Sequence, residues 1–340
     1  MIKNISLTNF RIFKNIKLDT NNSLVIFSGK NAHGKTSILE AIHIASTTKS
    51  HRENELNNVI SFNEPFSKIE VCDDRKFKVV VSKDSKSLFI NDCEIKKSSE
   101  YLGLLDVVMI SPLDINLIRG SKLDKRRFLD LSISVLNKKY LHESSRYKKA
   151  LAERNSMLKE KNIDETLFNI LTKELSEATK YIYDARMYLI DKLNYHLKDI
   201  SRDMNIEAIS IEYEPTYNPN DIYKSFMDRK ANDIKYQSTQ LGTHRDGFKI
   251  LINGLDAERY ASEGQSRIIY ISIKIALSLV MKELKGEPIL LLDDIYQALD
   301  KDRIASLTKY LKNIKQVFIT TTTILEIPNE LLKDALVLRI

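Results

Sequence analysis

The sequence predicts an α/β protein with mixed sheets and an inserted helical lobe, and three successive patterns carry that prediction. Residues 1 to about 110 alternate apolar and polar in short runs, the period of half-buried strands. From Leu123 to Asn205 the chain holds no Gly or Pro and is rich in Leu, Lys, Glu and Ala, the composition of long helices. The final third alternates helix and strand, the order of a parallel sheet. The divisions that follow are 1–115, 116–235 and 236–340.

In chain order, Ser23 to Ser28 reads as a compact apolar strand and Ser37 to Ile44 as a helix. Phe77 to Val81 and Leu88 to Ile95 read as strands, with Asn91-Asp92 as a turn. Pro215 and Pro219 mark an exposed connection. Phe248 to Ile252 is then a strand closed by the hairpin turn Asn253-Gly254. Ile268 to Leu284 reads as helix, Ile289 to Leu292 as buried strand, Asp300 to Leu311 as helix and Val317 to Thr320 as strand.

A chain of 340 residues with 43% hydrophobic and 29% charged residues is composed like a globular protein, and 9 Gly and 6 Pro leave little room for low-complexity linkers. Cys72 and Cys93 lack a CxxC or a nearby His pair, which speaks against a disulfide framework or a zinc site and predicts buried small hydrophobes. The start Met1-Ile2-Lys3-Asn4 shows no secretory pattern. Ser272, Lys274, Ser278 and Lys282 interrupt the longest apolar run, which predicts a core helix rather than a membrane span. The expected location is the cytoplasm.

Charge is unevenly placed. Between Arg119 and Lys161 stand thirteen Lys and Arg against five Asp and Glu, an excess larger than the net +7 of the whole chain. Two readings stay open: a segment that faces phosphates, or a solvated helix face balanced by acidic neighbours in space.

Gly29-Lys30-Asn31-Ala32-His33-Gly34-Lys35-Thr36 matches the phosphate-binding loop pattern G-x-x-x-x-G-K-[ST] in full, with the apolar Leu24 to Phe27 before it and a helical run after it. In that setting backbone N–H groups and the helix N-terminus favour an anion. Lys35 is then expected to reach the β- and γ-phosphates of ATP, and Thr36 to coordinate Mg²⁺. Far downstream, Ile289-Leu290-Leu291-Leu292-Asp293-Asp294 has the Walker B form. Asp293 is the expected metal carboxylate, and Asp294 the group that polarises the attacking water.

Ser262-Glu263-Gly264-Gln265-Ser266-Arg267 opens the helix about 25 residues before the Walker B strand and resembles the signature of ABC-type ATPases. That resemblance implies an ABC-type, SMC-head-like P-loop ATPase in which Ser262, Gly264 and Gln265 of one copy meet the γ-phosphate on another. ATP would then join a homodimer. It also places Ala298-Leu299-Asp300 at the D-loop and Thr320-Thr321-Thr322 at the switch.

Further blocks narrow the resemblance to the RecF family over nearly the whole chain. They are Leu7-Thr8-Asn9-Phe10-Arg11, Ser50-His51-Arg52, Ser111-Pro112-Leu113-Asp114 with Gly120-Ser121, Arg126-Arg127-Phe128-Leu129-Asp130, Tyr140-Leu141, Ser145-Arg146-Tyr147 and Thr243-His244-Arg245-Asp246. Leu113 and Lys122 depart from the acidic residue and proline usual in that pattern, and Gln297-Ala298 from its Ser-Glu. The resemblance implies a DNA-binding clamp of replication and recombinational repair in the SOS response to DNA damage. It would be nucleoid-associated, bind duplex DNA beside single-stranded gaps, and hydrolyse ATP weakly, as a timer stimulated by DNA. RecR and RecO-like mediators would be its partners in loading recombinase.

The alternative reading is the DNA-linked ATPase subunit of a nuclease or phage-defence system, and a third is a transporter ATPase. The 40 residues after Asp300 are too few for a nuclease domain, and the basic run with Asn9-Phe10-Arg11 favours DNA over transport. Individual side chains keep two readings. Arg126 and Arg127 either touch DNA or pair with Asp130 or Asp114. His244 and Arg245 either serve the nucleotide or satisfy their own turn. Arg52 is either a nucleotide or DNA contact or an ordinary loop arginine.

Overall fold

The computed structural model describes the chain apart from Lys161, Gln297 and Ala298. It divides into two compact units: Met1–Ile115 with Asp199–Glu207 and Ser262–Ile340, and Asn116–Lys198 with Ala208–Ala261. The return to the first unit falls at Ser262 rather than at 236, and the reason is strand pairing. Gly247–Ile252 lies antiparallel to Ile209–Glu214, which keeps the residues up to Ala261 with the second unit.

In the first unit a six-stranded antiparallel sheet runs in the order Phe13–Asp19, Asn4–Phe10, Phe66–Cys72, Lys76–Ser82, Lys86–Ile90, Cys93–Ile95. Its strands alternate as a one-sided sheet must: Phe77, Val79 and Val81 point inward while Lys76 and Lys78 face out. Leu88 to Ile95 divides into two strands at Asn91 and Asp92, whose φ values of 50° and 63° fit the two left-handed positions of a type I′ turn. That turn exposes Cys93, and Cys72 is half-buried, so neither thiol is the buried hydrophobe expected.

The second sheet of this unit has five parallel strands in the order Leu336–Arg339, Leu24–Ser28, Gln316–Thr321, Ile289–Asp293, Val107–Ile110. Ile289–Asp293 is buried at every residue, as a central parallel strand requires. The helix Lys35–Thr47 is buried at every residue but Thr36. Its Ile38, Leu39 and Ile42 share one core with Leu7 and Val79 of the antiparallel sheet and with Phe27 and Leu291 of the parallel one. This continuous core fixes the helix start, and with it the loop before it.

The second unit is mainly helical, with Lys122–Leu136, Lys138–Met157 and most of the 39-residue helix Glu165–Asp203. Ser121 and Asp124 form a capping box at the start of the first helix, and Asn137 caps the second by accepting from Lys139 and Tyr140 amides. Its interior holds two arginines. Arg154 and Asp233 pair at 2.8 Å with both side chains fully buried, and Arg154 also donates to Thr172 and Thr239. Arg186 donates to Asp130, Tyr213 and the carbonyl of Thr243. No helix among the described residues is long and apolar enough to cross a membrane.

Candidate nucleotide site

The loop Gly29–Thr36 joins the strand Leu24–Ser28 to the helix Lys35–Thr47. Two glycines shape it. Gly34 has φ of 93°, and a Cβ there would overlap the Phe13 ring. A Cβ on Gly29 would overlap the backbone carbonyl of Ile340. Lys30, Asn31, Ala32 and His33 are exposed at the crest, whereas Lys35 is buried at its foot. The Lys35 ammonium donates to the carbonyls of Gly29 at 2.7 Å and Lys30 at 2.9 Å, which places a cation directly under the loop.

Thr36 and Asp293, separated by 257 positions, meet at 2.7 Å, the Thr36 hydroxyl donating to Asp293 Oδ1. Thr320 donates to the same oxygen at 2.8 Å, and its hydroxyl accepts the Asp294 amide at 2.9 Å. One threonine of the Thr320–Thr322 block thus holds both Walker B residues. Burial pushes the Asp293 carboxyl above the usual carboxylate range, against the lowering pull of the two hydroxyls. Asp294 takes a left-handed backbone with φ of 47°, and its Oδ1 is buried without a hydrogen-bond partner among the described residues.

These features fit Mg²⁺-ATP. A hydroxyl and a carboxylate in contact are the hard oxygen donors that Mg²⁺ takes. A glycine-shaped loop before a helix N-terminus, with a buried lysine, suits phosphates, and an unpartnered buried carboxylate oxygen is spare acceptor capacity beside them.

Ser262 and Gln265 form a reciprocal cap at the start of the helix Glu263–Leu284: the Gln265 amide donates to Ser262 Oγ, and the Ser262 amide to Gln265 Oε1 at 2.9 Å. Gln265 Nε2 then donates to Glu207 at 3.1 Å. Gly264 is exposed, with open space where a Cβ would stand. The turn is therefore a preformed, solvent-facing helix start rather than part of the loop at Gly29. Of the D-loop block, Gln297 and Ala298 lie outside the described residues, and Asp300 caps the helix Lys301–Leu311 by accepting from the Arg303 amide.

The structure also sorts the remaining residues. Arg126 donates to the carbonyl of Asp246 at 2.8 Å, so its partner is neither Asp130, which holds Arg186, nor Asp114, which holds Lys274 at 2.8 Å. Arg127 lies 3.9 Å from Asp124. His244 bonds Tyr147 at 2.5 Å, and its other nitrogen faces the carbonyl of Thr239, which also accepts from Arg245; Asp246 accepts from Tyr213 and Thr216. That block is a structural knot of the second unit. Arg52 lies 3.8 Å from the buried carboxylate of Glu40. Within the basic run, Lys125 pairs with Glu258, Arg146 with Glu174 and Glu177, and Arg154 with Asp233, so the balanced reading holds for these.

The loop, the strand carboxylates and the two-sheet core define a P-loop nucleotide-binding protein of the SMC-head type. The SMC head of Pyrococcus furiosus superposes with a TM-score of 0.55 at 16% identity, covering 99% of this chain and 92% of that one, a likeness of fold alone. The family model for the RecF/RecN/SMC N terminal domain matches residues 1–329. The DNA replication and repair protein RecF of Acholeplasma laidlawii is 40% identical over 94% of this chain and 93% of its own. That of Clostridium perfringens is 36% identical over 100% and 98%. A RecF solved with ATP, the recombination mediator of the RecFOR pathway, superposes with a TM-score of 0.88 at 31% identity, covering 95% of this chain and 92% of that one. The chain belongs to the RecF family.

Proposed function

We propose that this chain is an ATP-dependent DNA clamp of replication and recombinational repair, closed when Mg²⁺-ATP joins two copies. The observation that carries the reading is the 2.7 Å contact of Thr36 with Asp293, since it brings together two motifs from opposite ends of the sequence that are expected to serve metal and phosphate. The RecF relatives, including one solved with ATP, support it.

Gly29 to Thr36 would cradle the phosphates through backbone amides, with Lys35 supplying the cation and Thr36 and Asp293 holding Mg²⁺. When bound, Mg²⁺-ATP supplies the γ-phosphate that a second copy recognises and whose slow hydrolysis ends the closed period. Asp294 would orient the attacking water through the carboxylate oxygen that has no hydrogen-bond partner among the described residues. Ser262, Gly264 and Gln265 would present the other copy's helix N-terminus to that phosphate. Duplex DNA beside single-stranded gaps is the proposed ligand, and RecR and RecO-like mediators the proposed partners.

Lys35→Ala tests the reading, because it removes the charge under the loop. ATP-dependent pairing disappears while circular dichroism is unchanged. Pairing that survives in this variant contradicts the phosphate assignment.

A further inference from the structure

The basic run divides by direction. On the helix Lys138–Met157 the arginines Arg146 and Arg154 turn toward the second unit's own carboxylates. Lys138, Lys148, Lys149 and, just past the helix end, Lys159 are exposed. At 3.6 residues per turn, 138, 142, 145, 149, 152, 156 and 159 fall on one stripe, with Lys148 beside it. Between the lysines the stripe carries His142 and the small side chains Ser145, Ala152 and Ser156, all exposed, with Leu141 half-buried at its edge.

We infer that this stripe is a contact surface for the phosphate backbone of duplex DNA, an inference that rests on the proposed function. Three observations choose that occupant. Lysines in solvent at the start, middle and end of the stripe make it electropositive; Lys149 lies 3.9 Å from Glu153 and is left out of the test below. Beyond His142 the exposed stripe residues between the lysines are small, which lets a rigid rod approach while the hydroxyls of Ser145 and Ser156 remain able to donate to phosphate oxygens. No large hydrophobic side chain between residues 138 and 160 is exposed among the described residues, so the surface lacks the apolar anchors of a protein interface. From Lys138 to Lys159 the stripe spans about 30 Å at 1.5 Å per residue, close to one turn of duplex. Because it offers lysines and small polar groups and no bidentate reader of base edges, the contact is independent of sequence.

The test is the salt dependence of duplex binding by the full chain with Mg²⁺-ATP. It compares wild type, Lys138→Ala/Lys148→Ala/Lys159→Ala, and a charge-matched control, Lys96→Ala/Lys97→Ala/Lys333→Ala, whose lysines are exposed in the first unit. All six positions are at the surface, so folding is preserved. The stripe variant flattens the slope of log affinity against log salt by about 2.7, three contacts at about 0.9 each, and the control leaves it near wild type. Wild-type binding with equal slopes in both variants overturns the stripe while leaving the clamp reading intact. Absence of salt-dependent duplex binding by wild type overturns the clamp reading and the stripe with it. Displacement of duplex by poly-glutamate of equal charge, lost selectively in the stripe variant, assigns the surface to an acidic protein and overturns the DNA assignment.

Discussion

Arg11→Met gives a sharp test of how the phosphate loop is held in place. Glu40 lies on the helix that follows the loop, its side chain fully buried, and Arg11 grips it through two bonds of 3.0 and 2.8 Å with only 17% of its own side chain exposed. Removing one partner of a buried pair strands the other charge and costs about 3–5 kcal/mol. Ser50 still donates to Glu40 at 2.5 Å and Arg52 still lies 3.8 Å away, which places the expected loss near the lower end, about 3 kcal/mol. Arg11 also bonds Glu53 and the carbonyl of Asn58, so the variant loosens that segment as well as the helix after the loop, and ATP affinity falls with stability. Urea unfolding of Arg11→Met, Glu40→Met and the double variant measures the effect. The double variant recovers most of the loss, since an apolar replacement of both partners leaves no stranded charge. A single-variant loss under about 1 kcal/mol, or a double variant as unstable as the sum of the singles, refutes the reasoning.

Three further outcomes are expected. Asp294→Asn binds ATP, pairs and holds DNA longer than wild type, whereas Asp293→Asn weakens Mg²⁺-ATP binding and shortens DNA residence; identical behaviour of the two shows that they act as one metal site. Asp233→Ala leaves Arg154 charged in a fully buried setting and lowers stability by about 3–5 kcal/mol, checked by denaturant midpoint. His51 is held at about 3 by burial, aided by the charge of Arg52, against roughly 6.5 when unfolded. It favours the folded state fully above about pH 6.5 and loses that contribution as pH falls toward 3, so His51→Leu flattens the fall in urea midpoint between about pH 7.5 and 5.

The elements of the site were legible in the sequence because each is a local pattern: a glycine-lysine-threonine loop between an apolar run and a helix, a buried strand ending in two carboxylates, a Ser-x-x-Gln cap. What joins them was not. Thr320 bonds both Asp293 and Asp294 only because Gln316–Thr321 lies parallel to Ile289–Asp293, with Asp293 opposite Thr320, a register that no local spacing encodes. The grip of Arg11 on Glu40, and of Arg154 on Asp233, likewise depends on chain paths between distant segments. The basic run shows the same limit. Its excess charge was visible, but the helical phase that turns Arg146 inward and Lys138 outward becomes decisive only when the neighbouring carboxylates are in place. The second unit's far boundary was misplaced for a related reason, since the pairing of Gly247–Ile252 with Ile209–Glu214 is set by tertiary contact rather than by composition.

The central claim, that a nucleotide held at Thr36 and Asp293 joins two copies through the turn at Ser262, is tested most directly by solution mass. Light scattering of wild type and Ser262→Arg is measured with Mg²⁺-ATP and with Mg²⁺-ADP, alongside ATP binding by each. Wild type shifts from one 39.3 kDa chain to two with ATP and stays single with ADP, while Ser262→Arg binds ATP and remains single. A wild type that stays single at saturating ATP, or a Ser262→Arg variant that pairs normally, contradicts the account.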